Sequence, residues 1–310
     1  MKILFIARHK PHVLETVGRF VSDQIAALQK EGIEVALLPI KGNGLLAYFK
    51  YISELNKYLK HNKIDIMHAH NGFTGFIVNF CRKKPVVVTY HGSDINNTQT
   101  RFFSRMSILL STVNIFISDN IRKKANVKTN YSIIPCGVDT ELFKIYSKEE
   151  ARKYFAWSLD EKIILFAGNF QNKVKNYPLA QSVIEKLPYK IRFVELKGFL
   201  RNEVGLLMNA VDMVLLTSLS EGSPQFIKEA MACNCPIVAT NVGDISERIE
   251  NVTHSYVTSF NRDEIKEKIM LVLEQNYVRT NGREEIFKQK MDSKNTAKKI
   301  INVYSKLLNK

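Results

Sequence analysis

Four cysteines in 310 residues, at positions 81, 136, 233 and 235, are too few and too irregularly spaced for a disulfide framework. No Cys-x-x-Cys pair and no Cys/His set at zinc-ligand spacing occurs. Cys233 and Cys235 therefore read as small apolar residues at the end of a buried helix, reduced and structural. Long apolar runs are also missing: no segment approaches the roughly 20 residues that cross a bilayer. The opening Met1-Lys-Ile-Leu-Phe-Ile-Ala7 is short, carries one lysine and runs into Arg8-His9-Lys10. That is the pattern of a first β-strand rather than a signal peptide, and the expected location is the cytoplasm. A hydrophobic content of 45% and an aromatic content of 10% exclude a disordered chain. The length suffices for two ordinary domains, each with its own core.

What is present is a strand–helix rhythm that runs twice. Strands are expected over 2–7, 34–40, 65–69, 85–90, 113–118 and 132–135, with helices near 20–30 and 47–60. After a connector over 139–147, a helix over 148–155 leads to strands over 162–168, 191–196, 213–217, 236–239 and 255–257. Alternation of this kind specifies a doubly wound parallel sheet, here two of them. The expected domains are 1–145 and 146–310, with the last helix able to pack back on the first domain. In such sheets ligands bind outside the carboxyl ends of the strands.

The most informative stretch is Thr217-Ser-Leu-Ser-Glu-Gly-Ser-Pro-Gln-Phe-Ile-Lys-Glu-Ala-Met-Ala-Cys-Asn-Cys-Pro-Ile-Val-Ala-Thr240, with Glu221 and Glu229 eight residues apart. The continuous apolar run from Met213 predicts a strand covered on both faces. Ser223 is expected as N-cap and Pro224 as the first helical residue. The unpaired N–H groups and dipole of such a helix start favour phosphate. A carboxylate in the loop and another just over one turn into the helix add acceptors for sugar hydroxyls. Together these suggest a nucleotide-sugar site. A solvated loop glutamate and an exposed helical one would give the same letters, but the apolar Ala230–Cys233 places Glu229 at the start of a buried segment.

This run resembles the Glu-x7-Glu signature of the family 4 retaining glycosyltransferases, which share the two-domain GT-B fold. Gly222, Ser223 and Pro224 match as well. The resemblance implies two Rossmann-like domains facing a central cleft. It puts Glu221 beside the donor sugar and gives Glu229 the ribose hydroxyls of the nucleotide. Asn234 replaces the family's usual glycine; asparagine tolerates a left-handed backbone, so the turn is expected to survive.

Other pieces follow in the family's order. His91-Gly92-Ser93-Asp94, after the strand over 85–90, corresponds to the motif whose histidine contacts the donor sugar. His91 is therefore the candidate for sugar positioning, and Asp94 the candidate for orienting neighbours or meeting the acceptor. Ile134-Pro-Cys-Gly-Val-Asp139 with Phe143 resembles the entry into the second domain, with Cys136 replacing asparagine. In Ala167-Gly-Asn-Phe-Gln-Asn-Lys-Val-Lys-Asn-Tyr-Pro178, Asn169 occupies the family's arginine position. Lys175, with Lys173 as a second cation, is expected to neutralise the donor diphosphate. The amino-terminal Gly-Gly loop of the family is absent; Gly18 in Gly18-Arg19-Phe20 is the candidate for close approach to phosphate or acceptor. Val242-Gly243-Asp244 stands where Gly-Gly is common and receives no role.

The resemblance implies retaining transfer from a nucleotide-diphosphate sugar to a glycan or lipid-linked acceptor in cell-surface polysaccharide biosynthesis. The leaving diphosphate itself deprotonates the incoming hydroxyl, and the protein supplies positioning and electrostatics. No Asp-x-Asp site is visible, so neither a metal nor another cofactor is expected. Charge bears on the acceptor: of a net +15, residues 1–145 hold 20 Lys+Arg against 10 Asp+Glu, net +10. The helix over 47–60 mixes Tyr48, Phe49, Tyr51, Ile52 and Leu55 with lysines, and Phe102-Phe103-Ser104-Arg105-Met106 repeats the mixture. Such composition suits an anionic membrane surface, so peripheral docking is expected. A core helix with a lysine edge is the alternative for each segment. A sugar-nucleotide epimerase or hydrolase on the same scaffold is the rival activity. A non-enzymatic basic nucleic-acid or membrane-binding protein is the other, although no nucleic-acid motif is present.

Overall fold

A computed structural model of the chain describes residues 1–9, 17–42, 44–81, 83–275 and 278–309; the side chain of Phe49 lies outside the described residues. The chain divides into two compact units, Met1–Gly137 with Ser293–Lys310, and Val138–Asp292. It thus changes unit at 137/138 and again at 292/293; the sequence reading placed the domain change at 145/146 and left the last helix able to pack back on the first domain.

The first unit holds a parallel sheet of β1 (Lys2–Ile6), β2 (Glu34–Leu37), β3 (Ile66–His70), β4 (Val86–Tyr90), β5 (Val113–Phe116) and β6 (Tyr131–Ile133) in the order β2-β1-β3-β4-β5-β6. The reversal of direction at β1 sets Ile3 beside Ile66 and Met67 beside Val86. Alternation along β1 decides which layer each residue enters. Leu4 and Ile6 join Met67, Ala69, Val88 and Tyr90 under helix Gly44–His61 and helix Gly72–Asn79. Ile3 and Phe5 join Ile66, Val87 and Ile115 on the opposite face. That second face is closed by helix Ser293–Leu308, whose Ala297, Ile300, Val303 and Tyr304 recur at helical spacing. Each large apolar side chain so buried contributes about 1.5–3 kcal/mol, enough to hold the last helix on the first unit.

Helix Gly72–Asn79 lies hard against helix Thr98–Leu110 because it has no Cβ at two contacts. A methyl at Gly72 would collide with Ser104, and one at Gly75 with Ser107 and Val88. One expectation about helix 44–61 is corrected here. Tyr48, Tyr51 and Leu55 are buried in the core, so they are not available to a membrane surface. On helix 98–110, by contrast, Phe102 is 63% and Leu109 78% exposed, and Arg105 is exposed.

The second unit holds β7 (Lys162–Phe166), β8 (Ile191–Glu195), β9 (Met213–Leu216), β10 (Ile237–Thr240) and β11 (Ser255–Thr258) in the parallel order β11-β10-β9-β7-β8. Both faces are covered, which is why β9 and β10 read as unbroken apolar runs. Among the described residues no helix is long and apolar enough to cross a membrane.

Candidate functional site

In the second unit the candidate residues gather where β9 ends. Thr217 donates its hydroxyl to the carbonyls of Lys175 (3.0 Å) and Asn176 (3.1 Å), which ties the cationic loop to the strand end. Asn172 caps the short 3-10 turn Lys173–Lys175, and Asn176 closes it in the left-handed region at φ 54°. The stem of Lys175 crosses Gly168 so closely that a Cβ there would lie 2.8 Å from Lys175 Cγ. The result aims the Lys175 ammonium at Glu221, with Nζ to Oε1 at 2.6 Å; the hydroxyl of Ser218 donates to the same oxygen at 2.8 Å. Lys175 and Glu221, 46 residues apart in sequence, are thereby one ion pair at the mouth of the sheet. Lys173 is exposed on the same turn. Asn169 uses its side chain locally, accepting from Gln171 N at 2.7 Å.

The helix that follows begins one residue later than the sequence reading placed it. It spans Gln225–Ala232 with Pro224, not Ser223, at the N-cap, and no side chain caps it. Proline at that position has no hydroxyl to offer, and the Ser223 hydroxyl is instead turned to accept from the buried Lys228 Nζ at 3.4 Å. Gly222 is roofed by the loop at 242–244: a Cβ on Gly243, at φ 67°, would meet the Gly222 carbonyl at 2.8 Å. Asn234 takes the left-handed conformation expected of it, φ 52°.

Glu229 is only 5% exposed, and a carboxylate at that depth requires a partner. Arg201, the first residue of helix Arg201–Ala210, supplies it through Nη1 to Oε1. The guanidinium also lies over the Phe143 ring, 4.6 Å from its centroid, which fixes its plane. Arg201 and Lys228 were absent from the sequence reading. Lys228 sits next to Glu229 in a helix whose burial the apolar run had already announced; Arg201 is 28 residues away and carries no local signal.

The first unit carries the histidine motif at the ends of β3 and β4. His91 is half-buried, its Nε2 lies 3.0 Å from His70 Nδ1 and its Nδ1 3.9 Å from Cys136 Sγ. Phe20 packs on its ring with centroids 4.2 Å apart. Asp94 is buried, accepting from Gly72 N (3.0 Å) on one oxygen and Gly92 N (2.9 Å) on the other. It therefore binds two loops together. Burial raises its pKa to about 6, and the backbone N–H groups only partly offset that. Below about pH 4 the carboxyl is protonated in both folded and unfolded chains. Between about 4 and 6 the folded chain keeps a proton that the unfolded chain has lost, so stability from this group declines as pH rises through that window. The expected carbon-13 titration of the Asp94 carboxyl has its midpoint near 6; a midpoint below 4 would contradict the burial argument.

Gly18 forms the N-cap of helix Arg19–Lys30 at φ −62°, a conformation open to any residue. A cavity of about 520 Å³ opens beside this motif, lined by Arg8, Tyr48, Phe73, Ser93, Asp94 and Thr100. Tyr48 and Phe73 meet edge to face at 4.5 Å, and Arg8 lies over Tyr48 and donates to its hydroxyl. None of the four cysteines forms a disulfide; burial raises the Cys235 thiol to about 12, and Cys233 still further.

Residues 6–142 match the family described as Glycosyltransferase Family 4, and residues 178–275 match Glycosyl transferases group 1. Among curated relatives, a Bacillus subtilis protein provisionally named as the teichuronic acid biosynthesis glycosyltransferase TuaC is 26% identical over 214 residues. That match covers 59% of this chain and 54% of the relative, so the chain spans about half the length of that protein. The Escherichia coli UDP-Gal:alpha-D-GlcNAc-diphosphoundecaprenol alpha-1,3-galactosyltransferase is 25% identical over 263 residues, covering 70% of this chain and 68% of the relative. Among solved structures, sucrose-phosphate synthase from Thermosynechococcus elongatus superposes with a TM-score of 0.87 at 16% identity, covering 99% of both chains. Anabaena HepE, solved with UDP, gives 0.76 at 18% identity, covering 99% of this chain and 100% of HepE.

Proposed function

We propose, for a chain that belongs to the family 4 glycosyltransferases and has the two-domain GT-B fold, that it moves a sugar with retention from a nucleotide-diphosphate sugar to a glycan or lipid-linked acceptor. The observation that carries this reading is the pair of carboxylates that follow β9, Glu221 in the loop and Glu229 in helix 225–232, each paired with a cation: Glu221 with Lys175 and Glu229 with Arg201. A carboxylate fixed at that depth accepts two hydroxyls of a ribose, which is the role given to Glu229. Glu221 then holds the donor sugar, and Gly222, Ser223 and Pro224 line the approach to it. Lys175, with Lys173 and the start of helix 225–232, stabilises the charge that develops on the leaving diphosphate. That diphosphate takes the proton of the acceptor hydroxyl, so neither glutamate acts as nucleophile.

The first unit contributes His91 to the sugar and, in this reading, the acceptor subsite. The aromatic walls of Tyr48 and Phe73 suit the apolar face of a sugar ring, and Asp94 holds the loops around them. Gly18 keeps its place as a candidate for phosphate or acceptor approach. Docking on the cytoplasmic face of a membrane belongs to the same reading, supported by exposed Phe102, Leu109 and Arg105 on helix 98–110 and by the basic first half of the chain. No metal or other cofactor is part of this reading.

The test is incubation with a panel of nucleotide sugars and purified membranes in EDTA. Nucleotide release that requires acceptor, with the anomeric configuration of the donor kept in the product, supports the reading. Release without acceptor favours hydrolysis, and isomerised donor favours an epimerase; inhibition by EDTA overturns metal independence. In the same assay His91→Ala is expected to lower kcat by on the order of 10²-fold with nucleotide affinity nearly unchanged, since it removes orientation rather than nucleotide contacts. An unchanged kcat would remove His91 from the site.

A further inference from the structure

His91 does not stand alone on the first unit; it ends a stack of three imidazoles. The rings of His68 and His70 lie 4.7 Å apart at 23°, and those of His70 and His91 5.3 Å apart at 18°. His68 and His70 alternate with Ala69 on β3, so both leave the same face of the strand. His68 is fully satisfied: its Nδ1 is 2.5 Å from the Tyr304 hydroxyl and its Nε2 2.7 Å from Thr89 Oγ1. Phe5 packs on both His68 and His70.

His70 is 1% exposed, and its two nitrogens have different fates. Nδ1 faces His91 Nε2 at 3.0 Å, whereas Nε2 is buried with no hydrogen-bond partner among the described residues. One proton must lie between the two facing nitrogens for that contact to be a hydrogen bond. If His91 donates it, neutral His70 must carry its own proton on Nε2, as a buried N–H with no acceptor. If His70 donates it, Nε2 is left as a bare lone pair. Among backbone groups an orphaned buried N–H is rarer than an under-satisfied acceptor, and the same order applied to the ring favours the bare nitrogen. Burial, with the neighbouring imidazoles His68 and His91, lowers the pKa of His70 well below the ordinary histidine range, so protonating both nitrogens is not an escape. His70 is thus a neutral Nδ1–H donor.

We infer that His70 is a positioning residue that donates Nδ1–H to His91 Nε2, locks the His91 ring, and restricts neutral His91 to its Nδ1–H tautomer. His91 then offers its remaining edge as a hydrogen-bond donor. In this structure that edge faces Cys136 Sγ at 3.9 Å, a weak acceptor that a sugar hydroxyl oxygen can replace. The sense of the contact to the sugar rests on the function proposed above; the tautomer of His91 does not.

Two arms separate these. Long-range nitrogen-15 spectra of the imidazoles at neutral pH, on the full chain without substrate, are expected to show His91 Nδ1 protonated and Nε2 bare. A protonated His91 Nε2 overturns the inference whatever the activity. His70→Leu removes the donor and is expected to mix the two His91 tautomers and lower kcat about 10-fold or more, with KM for the donor little changed. His70→Asn places an amide N–H where Nδ1 was, and is expected to restore both the nitrogen pattern and most of kcat. Loss of kcat in His70→Leu and His70→Asn alike, with the His91 pattern unchanged, makes His70 merely structural and overturns the inference. If the nitrogen pattern is as stated but His91→Ala leaves kcat intact, the tautomer stands and the role toward the sugar falls.

Discussion

Replacing Lys175 by methionine is expected to lower kcat by on the order of 10²–10³-fold, the range for loss of one preorganised group that stabilises developing charge. Methionine keeps most of the unbranched stem that passes over Gly168, so the loop should retain its path while the ammonium is lost. Nucleotide affinity should fall much less, because the ground-state diphosphate retains the N–H groups at the start of helix 225–232, and Lys173 on the same turn. The structure adds a complication that the sequence concealed. The Lys175 ammonium is already paired with Glu221, so the substitution also removes that ion pair and leaves the Ser218 hydroxyl donating to the carboxylate. A double-mutant cycle with Glu221→Gln separates the two effects. If the pair acts as a unit, the double variant loses little more than the single one; strict additivity would mean that the two side chains serve different steps. The measurements are single-turnover rates and calorimetric nucleotide affinities on the same preparations. A kcat within about twofold of wild type would exclude Lys175 from leaving-group stabilisation.

The second large effect is expected at Glu229. Hydrogen bonds to a charged acceptor contribute about 1.5–3 kcal/mol, so Glu229→Ala should weaken nucleotide binding by about 10–150-fold. Glu229→Gln should lose less, because an amide still offers one acceptor. The same substitution leaves Arg201, itself 18% exposed and stacked on Phe143, without its carboxylate, so a change in melting temperature is expected alongside the change in affinity. Arg201→Leu distinguishes the two causes. It contacts the nucleotide only through Glu229 in this reading, so it should weaken nucleotide binding in wild type and have little further effect in a Glu229→Ala background. Equal nucleotide affinity in wild type and Glu229→Ala would end the ribose assignment.

The contrast between these residues shows where the sequence was legible. Both sheets were readable because their strands are buried on two faces and each helix between them has an apolar stripe, so a local pattern dictates each element. The spacing of Glu221 and Glu229, the turn at Asn234 and the approach of the lysine loop were local patterns too. The helix start at Gln225 was misplaced by one residue, since Ser-Pro is compatible with capping at either position and only the packing of Ser223 against Lys228 chose between them. The lysine-edged helix 44–61 suited a membrane as well as a core in composition; the buried Tyr48 and Tyr51 decided for the core.

Sequence by itself determined the element order, the two doubly wound sheets, the family resemblance and most of the candidate residues, because each depends on neighbours within a few turns of chain. Tertiary structure alone decided which charges meet: Lys175 with Glu221, Arg201 with Glu229, His70 with His91. It also fixed which residues of helix 293–308, a helix the sequence left able to return to the first domain, close that unit: Ala297, Ile300, Val303 and Tyr304. The physical reason is the same in each case. A buried charge or imidazole must find a partner in three dimensions, and the partner that burial selects lies 21 to 46 residues away, where no periodicity reaches.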